Sequence, residues 1–366
     1  PSAGPDPAVH PPRRGRLGAA MSQVVDHLAE LTGFRDRDVM DVTLVMALRD
    51  LLEPESVAIY RTVGEPGAER WLTRAHLRAG DAVASADPLW AKPEALPLVS
   101  EHPLRLEAMR SLTVTQVARA GQWLYLFPIA TERDVVGVIE ILSTRRLGAG
   151  SQRLVSSVLR IYHNFQGLLD YSERDTLTGL LNRKTFDESF LKVLGELPLR
   201  PPPGEHGAED RRHESAVPHY VLGVVDIDHF KSVNDRFGHL IGDEVLLLLS
   251  RLMRGSFRFH DLLYRFGGEE FVVLMRCDED VHAGEAFERL RLNTERYAFP
   301  QVGRITVSIG FTEVRRGDSP AAAFERADKA VYHAKAHGRN QVHNYAALVA
   351  SGVILEAAQP SDMELF

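Results

Sequence analysis

The spacing of apolar residues changes period along this chain, and the changes mark out two folded regions. Helical spacing runs through Val24–Leu31 and again through Val39–Leu52, where Glu53 and Pro54 end it. Alternating spacing then predicts strands at Ser56–Thr62 and Glu69–Leu77 around a Gly/Pro turn. A second pair is predicted at Gln122–Ala130 and Val135–Ser143, joined by the polar turn Thr131–Asp134, with Trp123, Tyr125 and Phe127 on one face. Residues 82–110, which hold Pro88, Pro93, Pro97 and Pro103, are the least regular stretch and the candidate for a lid. From Gly150 the period returns to helix. Leu154, Val158, Ile161, Phe165 and Leu168 recur at alternating intervals of four and three residues, the pattern of a two-helix seam. The run supplies barely two heptads, so an amphipathic helix packed on its own domain is the alternative.

The second region follows a Pro-rich, charged stretch at 198–218 whose composition is that of a mobile insertion. Beyond it the pattern predicts strand Tyr220–Ile227, helix Leu240–Ser256 and strand Asp261–Phe266, then strand Glu270–Met275, helix Val281–Arg296 and strand Arg304–Phe311. Helix Pro320–His337 and a last strand near Gln341–Tyr345 complete it. This is a βαββαβ order with additions, so the chain is read as α/β in the α+β sense, its second region having a ferredoxin-like, palm-type core. Gly267 and Gly268 are read as a two-residue hairpin turn. A right-handed crossover makes the first two strands parallel, and the hairpin returns the third between them. Asp226 at the end of the first strand is therefore expected beside Glu269 at the start of the third. Alternation is expected to turn Glu270 to the other face.

Composition narrows the classes. The chain has 366 residues, 44% hydrophobic and 25% charged, enough for two soluble cores. Its formal charge of −7 argues against a nucleic-acid polymer as partner and requires that phosphates be met by metal ions or a local basic cluster. The single cysteine, Cys277, excludes internal disulfides and a CxxC metal site. No apolar run approaches the roughly 20 residues that span a bilayer, and residues 1–20 read as a disordered leader, so a cytoplasmic location is expected.

Two carboxylates brought together from distant sequence repel unless a cation lies between them, and hard oxygen ligands in an open site suit Mg²⁺ or Mn²⁺ with phosphates completing the shell. The phrases DTLTGLLNRK at 175–184, DIDHFKSVNDRFGHLIGDEVL at 226–246, RFGGEEF at 265–271 and AKAHGRN at 334–340 together resemble the signature of the GGDEF family of diguanylate cyclases, over about residues 173–345. Departures are small: Lys184 stands where arginine is frequent, and Phe266 where tyrosine is common. More loosely, two helices, a strand meander and an exit helix, with the phrase LFPIATERDVVGVIEIL, resemble a GAF sensory domain over 21–148, for an unidentified ligand. The expected order is a leader (1–20), a GAF-like domain (21–148), a signalling helix (149–172), a GGDEF domain (173–345) and a tail (346–366).

The resemblance implies condensation of two GTP into cyclic di-GMP and two pyrophosphates by a homodimer. It implies a metal held by Asp226, Ile227 and Glu269, with Glu269 and Asp226 catalytic. Amides around Asp228, His229 and Phe230, with Lys231, Lys335 and Arg339, would meet the phosphates. Asn234 and Asp243 are assigned to the guanine edge; a carboxylate accepts from N1–H and the N2 amine, donors that adenine lacks there. Arg258 and Asp261 form RxxD with five residues between it and Gly267, which the resemblance makes the family's inhibitory product site, and Arg289 or Arg291 would complete it. A silent cyclic di-GMP receptor and a cyclase of relaxed base choice are the rival readings; the intact GGEEF argues against the first and Asp243 against the second.

Overall fold

In the computed structural model the described residues are 36–64, 67–88, 91, 93–130, 135–197, 219–277 and 280–355, with 26, 29 and 30. The expected leader, most of the first helix and the 198–218 insertion lie outside them; Asp26, Ala29 and Glu30 are helical. The chain divides into two compact units that meet between Asp170 and Tyr171.

The first unit is built on a five-stranded antiparallel sheet, β1 (Ser56–Val63), β2 (Arg70–Arg78), β3 (Thr115–Arg119), β4 (Gln122–Ala130) and β5 (Val135–Ser143), in the order β2-β1-β5-β4-β3. Helix α1 (Arg37–Leu52) starts where the Asp36 carboxylate accepts the Asp38 amide at 2.8 Å and stops at Glu53, whose φ is +46°. Met40, Leu44 and Leu48 of α1 cover one face of the sheet together with Val155, Val158 and Tyr162 of α3 (Ala149–Glu173). Tyr125 and Phe127 point into this core and Leu126 to the opposite face, as the alternation predicts. The irregular stretch contains α2 (Pro103–Ser111), and Val99 and Ala108 close that opposite face over Trp71. There the Arg105 guanidinium lies 3.5 Å from the Tyr60 ring centre and forks onto Glu140 at 2.8 and 3.2 Å.

Helix α3 takes the alternative that the sequence left open, an amphipathic helix packed on its own unit. Its buried stripe is Val155, Val158, Tyr162, Gln166 and Leu169, so the helix packs on its own unit. Of the expected seam residues Val158 is fully in that core, Leu154 and Phe165 pack at its margin, and Leu168 is 65% exposed. The polar members are satisfied internally: Tyr162 donates to buried Asp41, Gln166 donates to the Tyr162 oxygen at 2.6 Å, and Arg61 donates to both at 2.9 and 3.0 Å.

The second unit carries a six-stranded sheet in the order β11-β10-β7-β9-β8-β6. Its strands are β6 (Leu181–Asn182), β7 (His219–Ile227), β8 (Leu262–Gly267), β9 (Glu270–Cys277), β10 (Val307–Glu313) and β11 (Val342–Asn344). The inner four, β10-β7-β9-β8, are the ferredoxin-like core expected from the element order, with β9 antiparallel between β7 and β8. The helices are α4 (Arg183–Glu196), α5 (Phe230–Phe237), α6 (His239–Ser256), α7 (Asp280–Arg296), α8 (Pro320–Ala336) and α9 (Tyr345–Ala350), the last beginning the segment expected as a tail. A stripe of alanines on α8, Ala323, Ala327, Ala330 and Ala334, is buried. Gly310 of β10 lets the helix in: a Cβ there would fall 2.2 Å from the Ala327 carbonyl oxygen. This close approach sets the height at which the C-terminal end of α8 reaches the sheet.

Candidate active site

The hairpin turn is one residue further along than the sequence predicts. Gly267 still belongs to β8 and pairs with Glu270, so Gly268 (φ +52°) and Glu269 are the turn residues. A register shift between Arg265 and Gly267 absorbs the extra residue. Arg265 fixes the loop by donating to the Gly268 carbonyl at 3.0 Å and to both oxygens of Asp175 at 3.1 and 3.2 Å. Glu269 is therefore carried by a pinned turn.

The register also corrects the expectation for Glu270. It pairs directly with Asp226 across β7 and β9, and directly paired residues share a face. Asp226, Glu269 and Glu270 thus form one acidic group at the sheet end. All three carboxyls are pushed above the ordinary carboxylate range, each first by burial. For Glu269 and Glu270 the next cause is the charge of Asp226. Asp226 itself is 5% exposed; its Oδ2 accepts from Lys335 Nζ at 2.7 Å, while Oδ1 is buried without a hydrogen-bond partner. Among the described residues no three His, Cys, Asp or Glu side chains form a ready-made metal cage. One or two carboxylates, a main-chain carbonyl such as that of Ile227 and substrate oxygens are what Mg²⁺ usually takes, so the orphaned oxygen and the crowded acids fit such an ion.

Reading the sequence missed what the carboxylate of Asp228, two residues on, does in the fold. Its buried carboxylate accepts from Thr306 and Ser308 hydroxyls, each at 2.7 Å, and from the Asn340 amide at 3.0 Å. Arg339 and Asn340 both have positive φ, +63° and +51°, uncommon for side-chain-bearing residues. Asp228 is what holds that strained loop to the strand ends. The signal available was the D-x-D spacing, which puts both carboxylates at one strand end. The Asp228 amide, expected among the amides that meet the phosphates, donates instead to the Thr306 carbonyl at 2.9 Å; His229 (φ +58°) and Phe230, where α5 begins, follow it, with exposed Lys231 next to them.

The other expected residues fall into two further groups. Asn234 on α5 and Asp243 on α6 flank the junction at Gly238 (φ +84°), Asp243 being exposed. Arg258 and Asp261 lie together before β8, the Arg258 amide donating to Asp261 Oδ2 at 2.8 Å. Burial pushes the Asp261 carboxyl up to about 6 against the pull of the Arg258 amide and the Arg258 and Arg289 charges, and its Oδ1 has no hydrogen-bond partner. Arg289 is anchored next to this pair on the Ser256 carbonyl at 3.1 and 2.5 Å. Arg291 is not in that group. It is held by Glu288, by Glu295 at 3.1 Å and by Asn340 Oδ1 at 2.9 Å, which makes it a brace of the 338–340 loop.

Residues 206–341 match the sequence model of the family described as "Diguanylate cyclase, GGDEF domain". Curated relatives include the diguanylate cyclase DgcP of Pseudomonas aeruginosa, 38% identical over 171 residues, 46% of this chain and 23% of the relative. The response regulator PleD of Caulobacter vibrioides is 36% identical over 191 residues, 50% of this chain and 38% of PleD. The chain thus spans well under half the length of either. Among solved structures, the GGDEF domain of DgcB from Caulobacter crescentus, in complex with c-di-GMP, is 30% identical and aligns with 48% of this chain and 96% of its own at a TM-score of 0.41. The C-terminal unit of the chain thus carries a GGDEF domain, similar to those of the diguanylate cyclases.

Proposed function

We propose that this protein condenses two GTP molecules into cyclic di-GMP, releasing two pyrophosphates. The observation that carries the reading is Asp226: a buried carboxylate oxygen without a partner, at a strand end crowded by Glu269 and Glu270, inside a segment that matches the family. The relatives named as diguanylate cyclases support the same chemistry.

In the proposed reaction the 3′-hydroxyl of each nucleotide forms a new bond to the α-phosphorus of the other, and the bond from that phosphorus to the oxygen bridging to the β-phosphate breaks. Mg²⁺ or Mn²⁺ held by Asp226, Glu269 and the Ile227 carbonyl would, when bound, supply charge to the phosphate oxygens and acidify the hydroxyl. Glu269 is the candidate to take the hydroxyl proton. His229 and Phe230 amides with Lys231, Lys335 and Arg339 hold the phosphates, and Asn234 and Asp243 read the base. Each domain holds one GTP, so the reaction requires two domains face to face in a homodimer.

Regulation is proposed at two places. Arg258, Asp261 and Arg289 would bind the product, cyclic di-GMP, at the far end of β8 from the acidic group. The first unit would be the sensory domain, of GAF type over 21–148, for a ligand of unknown class, feeding the GGDEF domain (173–345) through the 149–172 helix; residues after 346 form its tail. Among the described residues no helix is long and apolar enough to cross a membrane, and a cytoplasmic site of action fits a GTP-consuming enzyme.

The test is incubation of the purified protein with GTP and Mg²⁺ and separation of the products. Cyclic di-GMP with two pyrophosphates per product supports the reading; binding of cyclic di-GMP without turnover would make the protein a receptor instead. Asp243→Ser is expected to relax base choice, because a hydroxyl both donates and accepts. An unchanged product spectrum from mixed GTP and ATP would place selection elsewhere.

A further inference from the structure

Gly242 occupies the second turn of α6 in ordinary helical geometry, with its amide donating to the Gly238 carbonyl at 3.2 Å. It does not have the positive φ that singles out the chain's turn glycines. Alanine is intrinsically favoured at such a position, so neither helix propensity nor backbone geometry accounts for glycine there. Its surroundings do. A Cβ built on Gly242 falls 2.0 Å from Asn234 Oδ1, 3.1 Å from Asn234 Cγ and 3.3 Å from Phe230 Cζ. Asn234 thus lies flat against the bare Cα of the residue that immediately precedes Asp243.

We infer that Gly242 is a positioning residue for base recognition: by having no side chain it seats Asn234 against α6 and so fixes the spacing between Asn234 and Asp243. This rests on the proposed reading of those two residues as the guanine edge. The atom a methyl group would strike is the far end of a flexible side chain, whereas Phe230, in the core, would have to give only a few tenths of an ångström. An added methyl therefore displaces Asn234 and leaves the fold in place. A small misplacement of a recognition group is enough to lose an order of magnitude in affinity or rate.

The test is Gly242→Ala in the 366-residue chain. The first readout is the dissociation constant of a slowly turned-over GTP analogue carrying sulfur on the α-phosphate; the second is steady-state kinetics with GTP. The variant is expected to melt no earlier than the parent, to bind the analogue about tenfold more weakly, and to show the loss in KM and not in kcat. In an Asn234→Ala background the same substitution is expected to add less than about twofold, because the side chain it displaces is gone. Parental affinity in Gly242→Ala overturns the inference, and so does a tenfold loss that persists in the Asn234→Ala background. Failure of the wider reading looks different: there the parent itself does not prefer guanine over adenine nucleotides, and both statements fall together.

Discussion

Lys335 Nζ lies 2.7 Å from Asp226 Oδ2, joining the last turn of α8 to the end of β7 across the mouth of the acidic group. The pair leaves half of the Asp226 carboxylate unsatisfied, and Glu269 and Glu270 stand close enough for its charge to raise both. An arrangement of this kind weakens the fold locally, since three partly buried acids repel and one lysine cannot balance them. It makes sense as a site that gains its remaining positive charge from what it binds.

Glu269→Gln keeps the size of the side chain and removes its charge. Glu269 sits in a turn pinned by Arg265 and not in the core, so the variant is expected to melt within about 2 °C of the parent or above it, relief of repulsion being favourable. Turnover is expected to fall by at least about 100-fold, the scale on which single electrostatic groups act in catalysis. Wild-type rates at saturating Mg²⁺ would rule out the metal assignment.

The proposed product inhibition would carry a pH signature. Asp261 has its carboxyl raised to about 6 in the free protein, and only the ionised form accepts the guanine N1–H and N2 amine together. As pH falls through 6 the acceptor pair is lost, so inhibition weakens toward acid, by about tenfold in inhibition constant from pH 7 to pH 5. Arg258→Ala is expected to remove the slowing of progress curves as product accumulates. Inhibition by added cyclic di-GMP that is flat from pH 5 to 7.5, or unchanged in Arg258→Ala, would show that the product acts elsewhere.

The flank of α3 that its own unit leaves uncovered is the candidate dimer surface, with Leu168 at 65% exposure. Leu168→Glu places a charge in any apolar seam formed there. Half-maximal specific activity is expected to move to about tenfold higher protein concentration, with a matching shift in sedimentation. Identical concentration dependence in parent and variant would show that this flank does not pair.

Asp228→Ala tests the loop anchor. It strands two hydroxyls and the Asn340 amide, for a loss of roughly 3 kcal/mol and a fall of roughly 6–12 °C in the melting temperature of a unit this size. KM for GTP is expected to rise with it, because the loop carries Arg339. A variant as stable as the parent would mean the three donors find other partners.

Much of this was legible in the sequence, and the gaps have physical causes. The meeting of Asp226 with the GGEE turn follows from the handedness of a crossover and the return of a hairpin, neither of which needs side-chain detail. The one-residue shift that puts Glu269 in the turn depends on a bulge after Arg265, which no periodicity records. The buried stripe of α3 is not legible in the sequence because Tyr162 and Gln166 occupy core positions as polar residues, and the partners that satisfy them, Asp41 and Arg61, come from distant elements. Arg289 and Arg291 are indistinguishable by spacing; only the anchors, Ser256 for one and Asn340 for the other, separate them.

The most direct test of the central claim is a count of products from the 366-residue chain with GTP and Mg²⁺, alongside Glu269→Gln under the same conditions. The account predicts cyclic di-GMP and pyrophosphate in a ratio of one to two from the parent and neither above background from the variant. Equal amounts from both, or GTP left intact by a parent that is folded and dimeric, would contradict it.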